Sequence, residues 1–96
     1  MGKKEGKIEN GIRDYAIDRD FKVRKYVTPG HRGAPDRIFY GHGVVFWIET
    51  KTPDGMLSAD QKREIRYLRD AGMLVFVVDN LYAGCQIVDD MLKLKK

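Results

Sequence analysis

Residues 32–51 have the sequence RGAPDRIFYGHGVVFWIETK, and this stretch decides the fold. Two segments rich in β-branched and aromatic residues, 37–40 and 44–50, flank a short turn that contains two glycines. Segments of this kind on either side of a glycine-rich turn predict a β-hairpin. The hairpin is apolar along most of its length and polar at one end, where its second strand ends with Glu-Thr-Lys.

Three ionisable residues mark that polar end. Asp36 comes directly before the first strand, and Glu49 and Lys51 close the second. A buried carboxylate costs several kcal/mol unless it is paired or bound to a metal. The three groups therefore form either an ion-pair network or a site.

Side chains alternate between the two faces of a strand, so the hairpin predicts which residues share a face. The three polar groups converge only if the strand register aligns two sets of residues. These sets are Val45, Trp47, Glu49 and Lys51 on the second strand, and Asp36, Ile38 and Tyr40 on the first.

Further elements follow from periodicity on both sides of the hairpin. Residues 8 to about 19 carry apolar side chains at helical spacing and predict an amphipathic helix, and residues 21–28 predict a half-exposed strand. Residues 29–35 contain two prolines and two glycines, which favours a loop. The first helix carries Glu9 at the border of its apolar stripe, where an ordinary solvated or salt-bridged acid is the alternative to a functional one.

Downstream of the hairpin, a helix is predicted over 58–71. Ser58 and Gln61 have the spacing of a capping box, and Gly72 suits the end of the helix. The cap alone accounts for Gln61, although its position one turn before Ile65 also allows its side chain to face the sheet. The apolar run 73–78 predicts a strand covered on both sides.

The order of elements predicts an α/β fold built on a mixed sheet (α+β). A strand, a helix and a strand over 44–78 form a crossover that places the two strands parallel. The whole chain, residues 1–96, is then a single domain of order α-β-β-β-α-β with a short C-terminal tail, in which 82–88 begin a strand or a helix and 88–94 are weakly helical.

Composition narrows the class of protein further. Two-fifths of the residues are hydrophobic and a third are charged, which is typical of a soluble globular domain. No apolar run is long enough to span a bilayer and no hydrophobic stretch follows the first charges, so we expect no membrane partner and a cytoplasmic location, that of a bacterial host if a phage encodes the chain. The net charge of +4 favours polyanionic partners without proving them.

An Asp before one strand and a Glu-x-Lys at the end of the next suit metal-assisted phosphate chemistry. Carboxylate oxygens hold hard divalent cations, and a lysine beside them places a positive charge at a phosphate. Alternate residues of a strand point the same way, which explains the Glu-x-Lys spacing. The Thr50 backbone carbonyl is available to the same ion.

At these residues the chain resembles a known family. Pro35-Asp36 and Glu49-Thr50-Lys51 resemble the motif of the PD-(D/E)xK nuclease superfamily, and the longer frame is similar to the VRR-NUC family in its stand-alone phage and bacterial form. That resemblance covers roughly residues 5 to 80 and includes GAPDRI at 33–38, FWIETK at 46–51, Leu57-Ser58 before Gln61-Lys62, and Leu68 and Gly72 before VFVV at 75–78.

The resemblance implies a restriction-endonuclease-like core and a metal-dependent DNA endonuclease. Asp36, Glu49, the Thr50 carbonyl and Glu9 would bind Mg²⁺, with Mn²⁺ as a substitute, and Lys51 would orient or activate the attacking water. Gln61 would sit beside the site. The small members of the family are similar to dimeric resolvases of four-way (Holliday) junctions, so a homodimer acting on branched DNA is the implied form.

Basic residues outside the site are the predicted contacts with the DNA backbone. They are Lys22, Arg24, Arg32, Arg37, Lys62 and Arg66. Two other functions remain open: a DNase that cuts flaps, linear duplex or single strands with the same active site, and a non-catalytic nucleic-acid-binding module on the same fold.

Overall fold

The computed structural model describes residues 3–94, which form a four-stranded sheet between helices. The elements are α1 (Lys3–Ile17), β1 (Lys22–Lys25), β2 (Arg37–Gly41), β3 (Val44–Thr50), α2 (Ala59–Asp70), β4 (Leu74–Val78) and α3 (Leu81–Leu92). The predicted mixed α+β fold is confirmed, with the order α-β-β-β-α-β-α. Within the described residues no helix is both long and apolar enough to cross a membrane.

The sheet has the spatial order β1-β2-β3-β4. β1 pairs antiparallel with β2, and β2 pairs antiparallel with β3. β3 and β4 are parallel, because α2 carries the chain from the end of one strand back to the start of the other. The turn between β2 and β3 contains His42 and Gly43, both at positive φ (54° and 78°), as a tight hairpin connection requires.

The two faces of the sheet are covered differently. On one face, Val44, Phe46 and Ile48 of β3 join the main core beneath α1 and α3. On the other face, Trp47 and Val75 pack with Ile65 of α2 in a smaller cluster. Alternate residues of β3 therefore face different helices, and the odd-numbered positions, which include Glu49 and Lys51, lie on the α2 side.

The predicted C-terminal tail is a regular helix of 12 residues, α3, packed against α1. Asn80 caps it, its side chain accepting a hydrogen bond from the Ala83 amide at 2.8 Å. Gly84, Val88 and Met91 recur at helical spacing and are buried. Of the strand and the helix that the sequence leaves open for residues 82–88, the structure shows the helix, which continues through the predicted weakly helical stretch to Leu92.

Gly84 allows α1 and α3 to approach closely. A Cβ atom at this position would lie 2.1 Å from Cδ1 and 2.4 Å from Cγ1 of Ile12. Ile12 is only 1% exposed and belongs to the main core, so it has little room to move aside. The close approach of α1 and α3 therefore depends on the absence of a side chain at position 84.

We expect Gly84→Ala to destabilise the fold by about 1–3 kcal/mol, because the overpacking outweighs the gain in helix propensity. The free energy of unfolding is measured by urea denaturation. Gly6→Ala is the matched control, since a Cβ there meets nothing within 4 Å and the change removes a glycine from α1. Equal effects of the two substitutions would contradict the close packing of Ile12 on Gly84.

Candidate active site

The register of β2 with β3 brings the two acids of the hairpin together. Arg37 pairs with Ile48, so Asp36 lies opposite Glu49 at the next position beyond the ladder. The Asp36 backbone amide donates a hydrogen bond to Oε1 of Glu49 at 3.1 Å. In return, Oδ2 of Asp36 accepts from the Thr50 amide at 2.9 Å. Both carboxylates are thus held by backbone donors of the neighbouring strand.

Burial makes this carboxylate pair hard to ionise. Glu49 is 2% exposed, and burial, assisted by the negative charge of Asp36, raises its pKa to about 7 although Lys51 opposes the shift. Burial also raises the pKa of Asp36, with the Thr50 amide working against the shift and the charge of Glu9 adding to it. The pair therefore needs nearby positive charge to be fully ionised at neutral pH.

Lys51 supplies one such charge. Its Nζ lies 3.7 Å from Oε2 of Glu49, and its side chain is 19% exposed. Its backbone amide donates to the Val78 carbonyl at 2.8 Å, which extends the parallel pairing of β3 with β4 by one residue. The ammonium group is thus fixed beside the acids on the α2 face, as the Glu-x-Lys spacing predicts.

Gln61 performs both of the roles that the sequence leaves open. Its Oε1 accepts from the Ser58 amide at 2.8 Å, and its own amide donates to the Ser58 hydroxyl at 3.1 Å, which completes the capping box. Its Nε2 donates to Oε2 of Glu49 at 3.0 Å. One side chain therefore joins the start of α2 to the acid pair.

Gly33 fixes the loop that carries Asp36, and the sequence alone gives it no such role. Its φ is +91°, and a Cβ atom would lie 2.4 Å from the backbone carbon and oxygen of Asp60 and 2.6 Å from the amide nitrogen of Gln61. The loop thus rests directly on the first turn of α2. The positive φ and the close approach both require glycine.

Glu9 lies at the same end of the sheet but is bound elsewhere. It is 3% exposed, its Oε2 is ion-paired with Arg37 Nε and lies 3.9 Å from Lys25 Nζ, and its Oε1 is buried without a hydrogen-bond partner. Residues 3–94 contain no group of three or more His, Cys, Asp and Glu side chains that would hold a metal ion. The structure therefore assembles Asp36 with Glu49 and leaves Glu9 as a neighbouring charge.

Arg37 does not lie on the exposed surface, as a contact with the DNA backbone would require. It follows Asp36 in the chain and therefore points to the opposite face of the sheet, towards α1. There it is 8% exposed and bound to Glu9, with a further hydrogen bond to Asn10 at 3.4 Å. The expectation of a phosphate contact is corrected: Arg37 is the buried partner of Glu9. The other five predicted contacts, Lys22, Arg24, Arg32, Lys62 and Arg66, are all exposed.

The donor set at the end of the sheet fits Mg²⁺ or Mn²⁺. Two carboxylates that repel each other, next to the Thr50 backbone, offer hard oxygen atoms to a cation. Mg²⁺ is commonly held by one or two carboxylates while water and substrate phosphates fill its other positions. A cation bound here would favour the ionised form of Glu49 and so lower its raised pKa.

Comparison with known proteins agrees with this geometry. No family model matches the sequence, and no curated protein matches it at a significant level. Among solved structures, a chain described as a VRR_NUC domain has a TM-score of 0.83 and 27% sequence identity, and the match covers 92% of this chain and 97% of that one.

The fold and the paired acids with their lysine define a nuclease domain of the PD-(D/E)xK type. Within that class, the chain is similar to the VRR_NUC domain over nearly its whole length, which supports the VRR-NUC family predicted from the sequence.

Replacing Glu49 with Gln is expected to change how stability depends on pH in the metal-free protein. The pKa of Glu49 lies above its ordinary value in the folded chain. The contribution of Glu49 to the free energy of unfolding is therefore largest below about pH 4.5 and is lost as the pH rises to about 7. Wild type should therefore lose about 3 kcal/mol relative to Glu49→Gln across that range. Urea denaturation in EDTA at pH 4.5 and pH 8 measures the difference.

The comparison with the variant cancels the titrations of groups that do not contact Glu49. At pH 8 we expect Glu49→Gln to be more stable than wild type. A less stable variant at that pH would mean that Lys51 and Gln61 stabilise the ionised carboxylate more than burial opposes it.

Substitution of Arg37 should affect stability more than DNA binding. Arg37→Ala leaves the Glu9 carboxylate buried without its main partner, and we expect a loss of about 3–5 kcal/mol in the free energy of unfolding. Arg32→Ala, which removes an exposed guanidinium, is the control and should change stability by less than about 0.5 kcal/mol. A loss for Arg37→Ala as small as the control's would contradict the buried pair.

Proposed function

We propose that this chain is a Mg²⁺-dependent DNA endonuclease that hydrolyses phosphodiester bonds in branched DNA, with four-way junctions as its substrate. The observation that carries the proposal is the pair formed by half-buried Asp36 and buried Glu49, with Lys51 beside it. As a purely structural ion-pair cluster, two acids and one lysine at the ends of adjacent strands are weak, because the single lysine can neutralise only one of the two carboxylates. A site that binds a divalent cation and a phosphate accounts for the same residues.

The chain's own residues divide the work of the proposed reaction. Asp36 and Glu49, with the Thr50 carbonyl, would hold the cation, which supplies positive charge where the phosphate becomes more negative in the transition state. Gln61 fixes the rotamer of Glu49 through its 3.0 Å hydrogen bond. The Lys51 ammonium group, which lies beside Glu49 and is partly exposed, would hold the attacking water or a phosphate oxygen.

Glu9 has a supporting part in this proposal. Its buried Oε1 has no hydrogen-bond partner, and its charge raises the pKa of Asp36. From the α1 side of the sheet Glu9 thus adds negative charge near Asp36, with Arg37 as the opposing charge. Direct ligation by Glu9, which the family resemblance implies, would require its carboxylate to turn away from Arg37.

The proposed substrate implies a proposed assembly. A symmetric junction is cut on two strands, and each chain carries one site, so a two-fold dimer supplies both. Leu81 and Tyr82, at the start of α3, are 46% and 78% exposed and lie at the same end of the sheet as the site. They are the proposed contact between the two copies, whereas Met91 and Leu92 pack within the chain.

A cleavage panel tests the proposal. Purified protein with Mg²⁺ or Mn²⁺ is given a four-way junction, a flap, a linear duplex and a single strand, and Lys51→Ala and Glu49→Gln are compared with wild type. We expect symmetric junction cleavage that EDTA abolishes and that either substitution slows by about 10²-fold or more. Lys93→Ala, which removes a lysine with a 76% exposed side chain from the end of α3, is the control and should retain wild-type rates.

The pattern of products separates the alternatives. Equal cutting of every duplex would retain the nuclease and remove the junction preference. DNA binding without cut strands in any lane, unaffected by EDTA and by Lys51→Ala, would favour a non-catalytic binding module.

A further inference from the structure

Part of the sheet face that carries the acid pair is not covered by a helix. On this face α2 packs on Trp47 and Val75, towards the β4 edge. Tyr40 and Val45, which are direct partners in the β2–β3 ladder, are 38% and 45% exposed. We call the surface formed by Lys22, Arg24, Tyr40 and Val45 the open face.

The open face is continuous with the proposed active site. Strand pairing arranges its side chains in rows across the sheet, with Lys22 beside Tyr40 and Arg24 beside Ile38. Asp36 lies two residues beyond Ile38 on the same side of β2. Successive rows are about 7 Å apart along the strands. A cationic side chain from β1 therefore stands in each of the two rows that lead away from the acids.

The charge of the open face suits a polyanion. Lys22 and Arg24 are both exposed, and neither takes part in an ion pair within the described chain. The Arg24 guanidinium donates to the Val23 carbonyl at 2.9 Å, which keeps it at the β1 edge. The acids of neighbouring α2 are offset locally, since Asp60 and Glu64 lie 2.9 Å and 3.6 Å from the Arg63 guanidinium.

A half-exposed tyrosine beside these cations favours an unpaired strand over a duplex. Surfaces that bind single strands combine a basic track for phosphates with aromatic side chains on which bases stack. Bases in a duplex already stack on one another and present no ring face to Tyr40. The open face offers this combination in a fixed order outward from the site.

We propose that an unpaired strand of the DNA substrate crosses the open face, where Arg24 and Lys22 contact its phosphates and Tyr40 stacks on a base. The inference rests on the proposed function, since it gives the path of a strand segment that becomes unpaired at the branch point of the substrate, next to the acid pair. It also predicts binding that is measurable without cleavage.

Fluorescence anisotropy in EDTA tests the path separately from the chemistry. A labelled oligothymidylate and a blunt duplex of equal length are titrated with wild type, Tyr40→Ala, Tyr40→Phe and Lys22→Ala. We expect Tyr40→Ala to weaken single-strand binding about tenfold, Tyr40→Phe to retain it, and duplex binding to change little. Lys22→Ala should reduce the salt dependence of single-strand binding by about one phosphate contact.

Tyr67→Ala is the matched control. Tyr67 is 57% exposed and stands two positions from the buried Ile65 on α2, so it points away from the sheet. Thermal unfolding of each variant establishes that it is folded. Single-strand affinity of Tyr40→Ala equal to that of Tyr67→Ala would overturn the proposal, as would a change in oligomeric state with no change in affinity.

The two proposals fail in different ways. Tyr40-dependent single-strand binding together with no cleavage in the panel would remove the endonuclease and retain the binding path. Lys51-dependent cleavage together with single-strand binding that ignores Tyr40 would remove the path alone.

Discussion

The contact between Asp36 and Glu49 across the ends of β2 and β3 is the interaction on which the site depends. Each carboxylate is bound by a backbone amide of the other strand, so the ladder that builds the sheet also sets the separation of the acids. A slip of one residue in this register would turn one acid to the opposite face. The fold and the chemistry are therefore specified by the same set of strand hydrogen bonds.

Consecutive residues at the start of β2 serve opposite faces. Asp36 points to the α2 side and faces Glu49, whereas Arg37 points to the α1 side and neutralises Glu9. The sheet end thus holds three buried or half-buried acids but compensates only one of them with a buried arginine. The pair on the α2 side, which Lys51 compensates only in part, is where the pKa of a carboxyl reaches about 7, which is typical of a functional rather than a structural cluster.

The start of α2 makes the pair rigid. Gln61 closes the helix cap and binds Glu49 with the same amide group, and Gly33 lets the loop before Asp36 rest on the same turn of helix. The two acids are therefore supported by one helix terminus from two directions. In the proposed nuclease, this arrangement would hold the site in place before a cation or substrate arrives, which would reduce the reorganisation that binding requires.

The sequence by itself determined the hairpin, the crossover and the three residues Asp36, Glu49 and Lys51. Period-two alternation and the turn glycines are local signals, and the cost of burying charge identifies the acids without knowledge of the fold. It also gave both readings of Gln61. Only the tertiary structure decided that both hold, because the contact with Glu49 spans a crossover that local spacing does not fix.

Tertiary structure also decided the places of Arg37, Gly33 and α3. The alternation of β2 implies that Arg37 faces away from Asp36, but its partner on α1 is distant in sequence, and only packing reveals that the pair is buried. In the sequence Gly33 resembles any loop glycine, and only the structure shows that a Cβ there would lie 2.4 Å from the helix backbone. The apolar residues after 80 suit a strand or a helix, and docking against Ile12 through Gly84 stabilises the helix.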